Sequence, residues 1–263
     1  MEHTQAAIGI IGGTGLYSLF TDGTEEWPDT PYGKAGAPLT VGKMSGRTVA
    51  FLPRHGRRHE YAPHNVNYRA NVWSLEKCGV TRVISVGAVG SLTPRIPPGS
   101  LVVPDQLVDR TTGRAQTYVD GPGVAHAPFA DPFCPAGRQA ALRAAEQARW
   151  PAVNGGTQVV VEGPRFSTRA ESQWYAGQGW TTIGMTAHPE AVLARELGLC
   201  YVPLSMVTDW DAGVLPGHGV TQDDVVEAFA ANVVRMRDVL AALVEALPTE
   251  DECNCRELKP SVL

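Results

Sequence analysis

Short apolar segments rich in β-branched residues alternate along this chain with segments of helical periodicity. This alternation limits the fold more than any other feature, because strands that alternate with helices build a parallel or mixed sheet covered by those helices. The strand pattern occurs at residues 6–11, 48–52, 82–86, 101–103, 157–161, 181–185 and 201–207, and the helical pattern at residues 68–77, 136–150, 169–177 and 190–197. We therefore predict an α/β fold with a central mixed β-sheet flanked by helices.

The last helix has the clearest periodicity. Apolar residues recur every three or four positions from Val225 to Leu247, and Thr221 followed by Asp224 gives a capping-box pattern at its start. A chain of 263 residues fits one domain, since α/β chains of this size often fold as one unit. We place that domain at residues 1–248 and expect residues 249–263 to form a solvated tail.

The net charge and the hydropathy of the chain limit the kinds of molecule that it can bind. The chain carries 27 acidic and 22 basic residues, for a net charge of -5. It therefore lacks the broad basic surface that attracts nucleic acid or an anionic membrane. Its apolar runs are shorter than the roughly 18 residues of a membrane span. We expect a cytoplasmic protein that acts on small molecules.

The five cysteines do not suggest a disulfide framework. Cys78, Cys134 and Cys200 lie in apolar or helical surroundings, where a buried free thiol is the common outcome. Cys253 and Cys255 form a Cys-x-Cys pair in the polar tail. Such a pair binds metal or forms a strained disulfide in some proteins, but we expect these two thiols simply to be solvated.

Two turns that follow predicted strands carry groups suited to an anion. The Gly-Gly-Thr-Gly turn at residues 12–15 leaves backbone amides open to close approach, and its threonine adds a hydroxyl donor. The second turn holds Arg54 and His55, and arginine binds phosphate in a bidentate manner. His55 and His59 have the spacing of a metal pair on a helix, but Gly56 between them argues against a helix here, so we expect no metal.

Three further segments complete the candidate site. Residues 87–91, Gly-Ala-Val-Gly-Ser, predict a third small-residue turn whose amides join the other two around one anion. Residues 162–168 place an aromatic ring and a hydroxyl before a capped helix, which suits either a packing corner or a wall for a flat ligand. Asp209 and Asp211 follow the strand at residues 201–207, where paired acids serve either as helix or loop caps or as an acid/base station.

Taken together and in this order, the motifs resemble those of the trimeric purine nucleoside phosphorylases and, within them, the 5′-methylthioadenosine phosphorylases. The motifs are at residues 12–15, 54–56, 66–71, 90–92, 109–112, 162–167, 185–186 with 189–190, and 208–211. The resemblance covers roughly residues 6–245. It implies reversible phosphorolysis of a purine nucleoside, with inorganic phosphate as co-substrate and no cofactor. It also implies a homotrimer, or a hexamer built from two trimers.

The resemblance also implies roles for individual residues. The phosphate ligands would be Thr14, Arg54, His55, Gly87, Ala88 and Thr186. The nucleoside contacts would be Phe166, Ser167, Met185, Trp210, His59 and His126, with the two histidines near the 5′ end and His126 reaching in from a neighbouring subunit. Asp209 and Asp211 would face the purine and act in catalysis, while Ser167, Gln222 and Val225 would set specificity.

The aspartate pair favours a 6-aminopurine, because an ionised carboxylate accepts a hydrogen bond from the N6 amino group and repels O6. We therefore predict phosphorolysis of S-methyl-5′-thioadenosine. The family commonly has a hydroxyl residue at the position of Gly87 and a small apolar residue at that of Gln222. These departures leave open a phosphorylase for another 5′-substituted adenosine, or one for inosine, guanosine or methylthioinosine. A water-dependent nucleosidase, a nucleotide-sensing domain and a dinucleotide-dependent dehydrogenase explain fewer of the motifs.

Overall fold

The computed structural model describes residues 4–13, 15–16, 19–20, 22–217, 219–249 and 252–262. Its strands are β1 (Ile8–Gly12), β2 (Thr24–Glu26), β3 (Leu39–Met44), β4 (Arg47–Pro53), β5 (Arg82–Ser91), β6 (Leu101–Val103), β7 (Gln106–Arg110), β8 (Val153–Asn154), β9 (Thr157–Val161), β10 (Thr182–Gly184) and β11 (Cys200–Trp210). Its helices are α1 (Tyr68–Lys77), α2 (Pro135–Gln147), α3 (Arg169–Gly177), α4 (Ala187–Glu196) and α5 (Gln222–Ala246), and a 3-10 turn covers Pro63–Asn65.

These strands form one mixed sheet in which β5 is the central element. The main path of the sheet runs β2-β3-β4-β1-β5-β10-β9-β7, and β11 pairs with β5 along its whole length. Strand β5 is parallel to β1 and β11 and antiparallel to β10. The predicted α/β fold with a helix-flanked mixed sheet is therefore confirmed.

Helices cover both faces of the sheet, and the side chains of each strand alternate between them. Ile8 and Ile10 of β1 and Val202 of β11 pack with α2 and α5. Ile11 of β1 and Tyr201 of β11 pack in the opposite core with α1 and α4. Burial on both faces explains why these strands appear in the sequence as continuous apolar runs. No helix in the described ranges is both long and apolar enough to cross a bilayer.

Two sequence-based predictions about strand ends are wrong. Residues 87–91 do not form a turn, because they continue β5 and pair with residues 205–210 of β11. That pairing outweighs the low intrinsic strand preference of glycine and alanine. Strand β11 also continues to Trp210, with a bulge between Val207 and Asp209.

The prediction that Cys253 and Cys255 are solvated is also wrong. Most side chains of residues 252–262 are exposed, but Cys255 is only 2% exposed within the core that α2 and α5 share. Cys253 packs against the same core. An apolar core accepts thiols readily, so these two cysteines hold an otherwise polar segment on the domain.

Candidate active site

The glycine turn after β1 lies beside the turn that carries Arg54 and His55. Strands β1 and β4 are parallel neighbours, with Gly12 paired to Pro53, and the Arg54 N–H donates to the Gly12 carbonyl at 2.9 Å. A methyl group built at Gly13 would lie 3.9 Å from Arg54 Nη1. The two turns therefore meet as the sequence analysis expects. Thr14, the predicted hydroxyl ligand of this turn, lies outside the described residues.

Arg54 is buried and forms an ion pair that the sequence analysis does not predict. Its Nε donates to Glu190 Oε1 at 2.5 Å, and its Nη2 donates to Ser85 Oγ at 2.7 Å and Glu190 Oε2 at 3.1 Å. Its Nη1 donates to the Val86 carbonyl at 2.9 Å, which leaves one of the five guanidinium N–H groups outside these bonds. Burial by itself lowers the Arg54 pKa, but the Glu190 charge outweighs it and raises the pKa overall.

His55 is neutral and has a defined tautomer. Its Nδ1 lies 2.8 Å from the Tyr61 carbonyl, which only accepts, so Nδ1 carries the proton and Nε2 keeps its lone pair. Burial, together with the neighbouring Arg54 charge, lowers the His55 pKa to about 3. The His59 ring stacks on His55 with 4.4 Å between centroids.

A small cavity lies at the middle of β5, beside this cluster. Gly87 and Ala88 of β5 line it together with Met185 and Thr186, which precede α4. Thr186 is the N-cap residue of α4, and its side chain makes no capping hydrogen bond. Ser85 also lines the cavity, and its hydroxyl accepts a hydrogen bond from Arg54 Nη2, so Arg54 lies next to the cavity wall. The structure thus groups the described members of the predicted phosphate set.

Asp209 and Asp211 lie farther along β11, beyond its bulge. A bulge turns the following side chains relative to the regular strand, and bulges are common beside active sites. Asp209 Oδ2 accepts a hydrogen bond from the Thr208 hydroxyl at 2.8 Å. A methyl group built at Gly90 of β5 would lie 2.9 Å from Asp209 Oδ1 and 3.4 Å from Asp211 Cβ. Gly90 therefore allows both aspartates to lie close to the β5 backbone.

Both carboxyl groups hold protons more strongly than exposed aspartates do. Burial, together with the charges of Asp211 and Asp224, raises the Asp209 pKa to about 6. Burial also raises the Asp211 pKa, although hydrogen bonds from Ser172 and Ser167 oppose the change. Asp211 Oδ2 is buried without a hydrogen-bond partner. A buried acceptor of this kind is a group that a ligand donor would satisfy.

The remaining predicted residues lie in several other segments of the chain and differ in their exposure. Phe166 is half-buried in the loop between β9 and α3, next to Ser167. Trp210 is half-buried at the end of β11, and its indole N–H has no partner. Gln222 is exposed and Val225 half-buried in the first turns of α5, whose Asp224 charge acts on Asp209. His126 is exposed, and no contact of the described residues links it to the site.

Comparisons with known proteins identify the family of this chain. The profile of the phosphorylase superfamily matches residues 7–247. The chain belongs to the phosphorylase superfamily. The purine nucleoside phosphorylase of Streptomyces coelicolor is 54% identical over 259 residues, which cover 95% of this chain and 92% of that protein. The S-methyl-5′-thioadenosine phosphorylase of Mycolicibacterium smegmatis is 52% identical over 248 residues, covering 94% and 93%.

A solved structure shows the same phosphorylase architecture. Methylthioadenosine phosphorylase from Schistosoma mansoni in complex with adenine superposes with a TM-score of 0.91 at 36% identity, covering 97% of this chain and 96% of that one. The resemblance stated from the sequence motifs is therefore confirmed at the level of family and fold.

Sequence reasoning missed two residues that organise this phosphorylase site. Glu190 lies in one of the motifs, but the sequence assigns it no role because its partner Arg54 lies 136 residues away. Arg114 lies in a polar segment without a local pattern, yet its buried guanidinium donates to the Met185 carbonyl at 2.7 Å and the His188 carbonyl at 2.8 Å. It also bonds the Glu162 carbonyl at 2.7 Å. Arg114 thereby fixes the backbone on which Met185 and Thr186 stand.

Proposed function

We propose that this phosphorylase converts S-methyl-5′-thioadenosine and inorganic phosphate to adenine and 5-methylthioribose 1-phosphate. One observation carries the proposal. A buried arginine, followed in the chain by a neutral histidine, bonds the middle of β5 beside a small cavity, and two aspartates of raised pKa lie farther along the neighbouring strand β11. The first part suits an anion and the second a leaving base. The names of relatives at 52% and 51% identity support this substrate.

The phosphate end is assigned to Thr14, Arg54, His55, Gly87, Ala88 and Thr186. Arg54 keeps one Nη1 donor, and the amides of β5 supply further N–H groups. The neutral His55 offers Nε2 as an acceptor for the O–H of a protonated phosphate. Held beneath the ribose, a phosphate oxygen forms the bond to C1′ while the C1′–N9 bond breaks. Phosphate itself is the nucleophile, so the proposed reaction needs no side-chain nucleophile, metal or cofactor.

The base end is assigned to Asp209 and Asp211. As the C1′–N9 bond lengthens, its electron pair moves onto adenine, and a proton given to N7 stabilises that charge. A carboxyl group with a pKa of about 6 is partly protonated near neutral pH, so Asp209 is suited to donate this proton. Ser167, which hydrogen-bonds Asp211, and the adjacent Phe166 lie in the loop after β9 and would contact the base. Asp211, with its unpaired oxygen, would accept from the N6 amino group.

The proposal includes the substituent at the 5′ position of the ribose and the group at C6 of the purine. Met185 would lie against the ribose, and His59, Gln222 and Val225 would surround the 5′ group. Gln222 is polar and exposed, which favours some tolerance of other 5′-substituted adenosines. A protonated Asp209 can donate to O6, so 6-oxopurine nucleosides are expected as slow substrates.

We further propose a cytoplasmic homotrimer, or a hexamer of two trimers, in which His126 of one chain serves the site of its neighbour. All five cysteines are free thiols, as is usual in reducing compartments. His126 lies in an exposed stretch at residues 121–128 that also exposes Val124. An exposed apolar residue beside a candidate site residue is what a subunit contact would cover.

The test is to incubate the protein with methylthioadenosine, methylthioinosine, adenosine and inosine, with and without phosphate, and to measure the released base. We expect methylthioadenosine to react fastest and only with phosphate. Asp209→Asn keeps a donor but cannot transfer a proton, so its kcat should fall by about 10²- to 10⁴-fold with little change in the KM for phosphate. Base release without phosphate would contradict phosphorolysis, and faster reaction of inosine would contradict the 6-amino preference.

A further inference from the structure

Four cysteines that are distant in sequence converge at one point, well away from the candidate active site. Cys134 is the N-cap residue of α2, Cys200 begins β11, and Cys253 and Cys255 come from the C-terminal segment. Their four Sγ atoms lie within 4.8 Å of one another, and those of Cys200 and Cys253 are 3.4 Å apart. Cys78, the fifth cysteine, is buried elsewhere.

The spacing and the burial match a closed tetrahedral metal site. Four sulfurs that each lie about 2.3 Å from a zinc ion are about 3.8 Å from one another. This distance falls between the closest sulfur pair and the 4.8 Å limit of the cluster. Cys134, Cys200 and Cys255 are 2%, 6% and 2% exposed, whereas half-buried Cys253 lines a small cavity that opens to solvent. This cavity gives an ion a route to the sulfurs.

We propose that Cys134, Cys200, Cys253 and Cys255 bind one Zn²⁺ ion as a structural site with four thiolate ligands. All-thiolate tetrahedral sets select zinc or iron–sulfur centres among biological metals, and one ion fits the single cluster seen here. Binding removes the four thiol protons, so the site carries two negative charges when it is filled. The inference does not depend on the proposed function.

The start of α2 supplies a hydrogen-bond donor to one of the sulfurs. The backbone N–H of Gly137, in the first turn of α2, donates to Cys134 Sγ at 3.3 Å. Thiols at helix N-termini are acidified in general. Arg82 lines the same cavity, so a cation lies close to the charge of a filled site.

The ion would join three parts of the fold. It would link the start of α2, the start of β11 and the segment at residues 252–262, which otherwise contains mostly exposed polar side chains. Cys200 and Asp209 are nine residues apart on β11, so the cluster is about 30 Å from the aspartate pair. The predicted role is therefore stability of the C-terminal segment rather than catalysis.

Metal content and thiol count on the full chain test the proposal. The chain is purified under reducing, chelator-free conditions and supplied with excess Zn²⁺, the unbound ion is removed, and bound metal is measured by mass spectrometry. We expect one zinc per chain, released by a mercurial reagent, and five reactive thiols after denaturation in chelator. Co²⁺ in place of Zn²⁺ should give the charge-transfer absorption of a tetrahedral thiolate site.

Variants separate the cluster from nonspecific binding. Cys255→Ser and the half-buried Cys253→Ser should each lose at least tenfold in zinc affinity and lower the Tm of the zinc-loaded protein. The matched control Cys78→Ser should keep one zinc per chain. A chain that binds no zinc would overturn the proposal. This holds if all five thiols are reduced, and also if the four cluster cysteines form two disulfides and leave a single thiol. Zinc retained at full affinity by both cluster variants would also overturn it.

Discussion

Asp209 holds its proton to a higher pH than an exposed aspartate. Burial, with the Asp211 and Asp224 charges, moves its pKa from an ordinary 3.8 to about 6. The folded protein therefore binds this proton more tightly than the unfolded chain, and ionisation of Asp209 weakens the fold. Its contribution to stability is complete below about pH 4 and is lost as the pH rises through about 6.

Asp209→Asn should remove this pH dependence. Relative to the unmodified protein, the variant should gain about 1–3 kcal/mol in free energy of unfolding between pH 4 and pH 7. The Asn carbonyl still accepts from Thr208, so that hydrogen bond is retained. Urea unfolding across this pH range measures the difference. Asp238→Asn, on the exposed side of α5, is the matched control and should follow the unmodified protein. If Asp209→Asn showed the same pH dependence of the free energy of unfolding as the unmodified protein, the raised pKa of Asp209 would be refuted.

The sequence was enough to select the candidate residues, but it did not predict the residues that contact them in the fold. Glycines, a basic turn and paired acids at strand ends suffice to select Arg54, His55 and Asp209 as candidates. The ionisation states depend on contacts that only the fold creates. The neutral form of His55 requires the Tyr61 carbonyl and the nearby guanidinium, and the charge of Arg54 requires Glu190. Sequence spacing carries no information about a pair 136 residues apart.

Among the elements, those whose local pattern agrees with their tertiary setting were predictable. Helices α1 and α3 have the predicted bounds, and the capping boxes at Thr168 and Thr221 form as expected. The strand β7 was missed because its side chains are largely exposed and polar, so no apolar run marks it. The end of β5 was read as a turn because its small residues become a strand only through pairing with β11.

The Arg54–Glu190 pair connects β4 to α4, and we predict that it is a strong link between these elements. Arg54→Met leaves the fully buried Glu190 without its cation and should cost about 3–5 kcal/mol of stability. Adding Glu190→Gln should restore part of the loss, because the amide keeps an acceptor for the Tyr201 hydroxyl. Urea unfolding of both single variants and the double variant gives the coupling energy.

A surface pair provides the matched control for this experiment. Arg57 and Glu25 also form an ion pair, but their side chains are 50% and 51% exposed. Arg57→Met should therefore change stability by less than about 1 kcal/mol. Equal effects of Arg54→Met and Arg57→Met would contradict the role given to the buried pair.

At the scale of the whole molecule, the long connection at residues 111–134 between β7 and α2 stands out. They form no helix or strand, and connections of this length are uncommon in compact domains unless they have a function. One part is held internally, since Arg114 bonds the Met185 carbonyl and Tyr118 packs on Tyr32. The part around His126 is exposed. This division suits a segment that supports its own site at one end and a neighbour's site at the other.

Subunit complementation tests that division. If sites combine Asp209 of one chain with His126 of the next, co-expressed Asp209→Ala and His126→Ala chains should form mixed trimers. In a random mixture, about one quarter of the sites then contain both native residues. At low nucleoside concentration, the activity of the mixture should exceed the mean activity of the two single variants by about one quarter of the activity of the unmodified protein. Asp209→Ala mixed with Asp211→Ala is the control, because both changes affect residues of one chain's site and no site regains the pair. Absence of recovery in the first mixture would place His126 outside the neighbouring site.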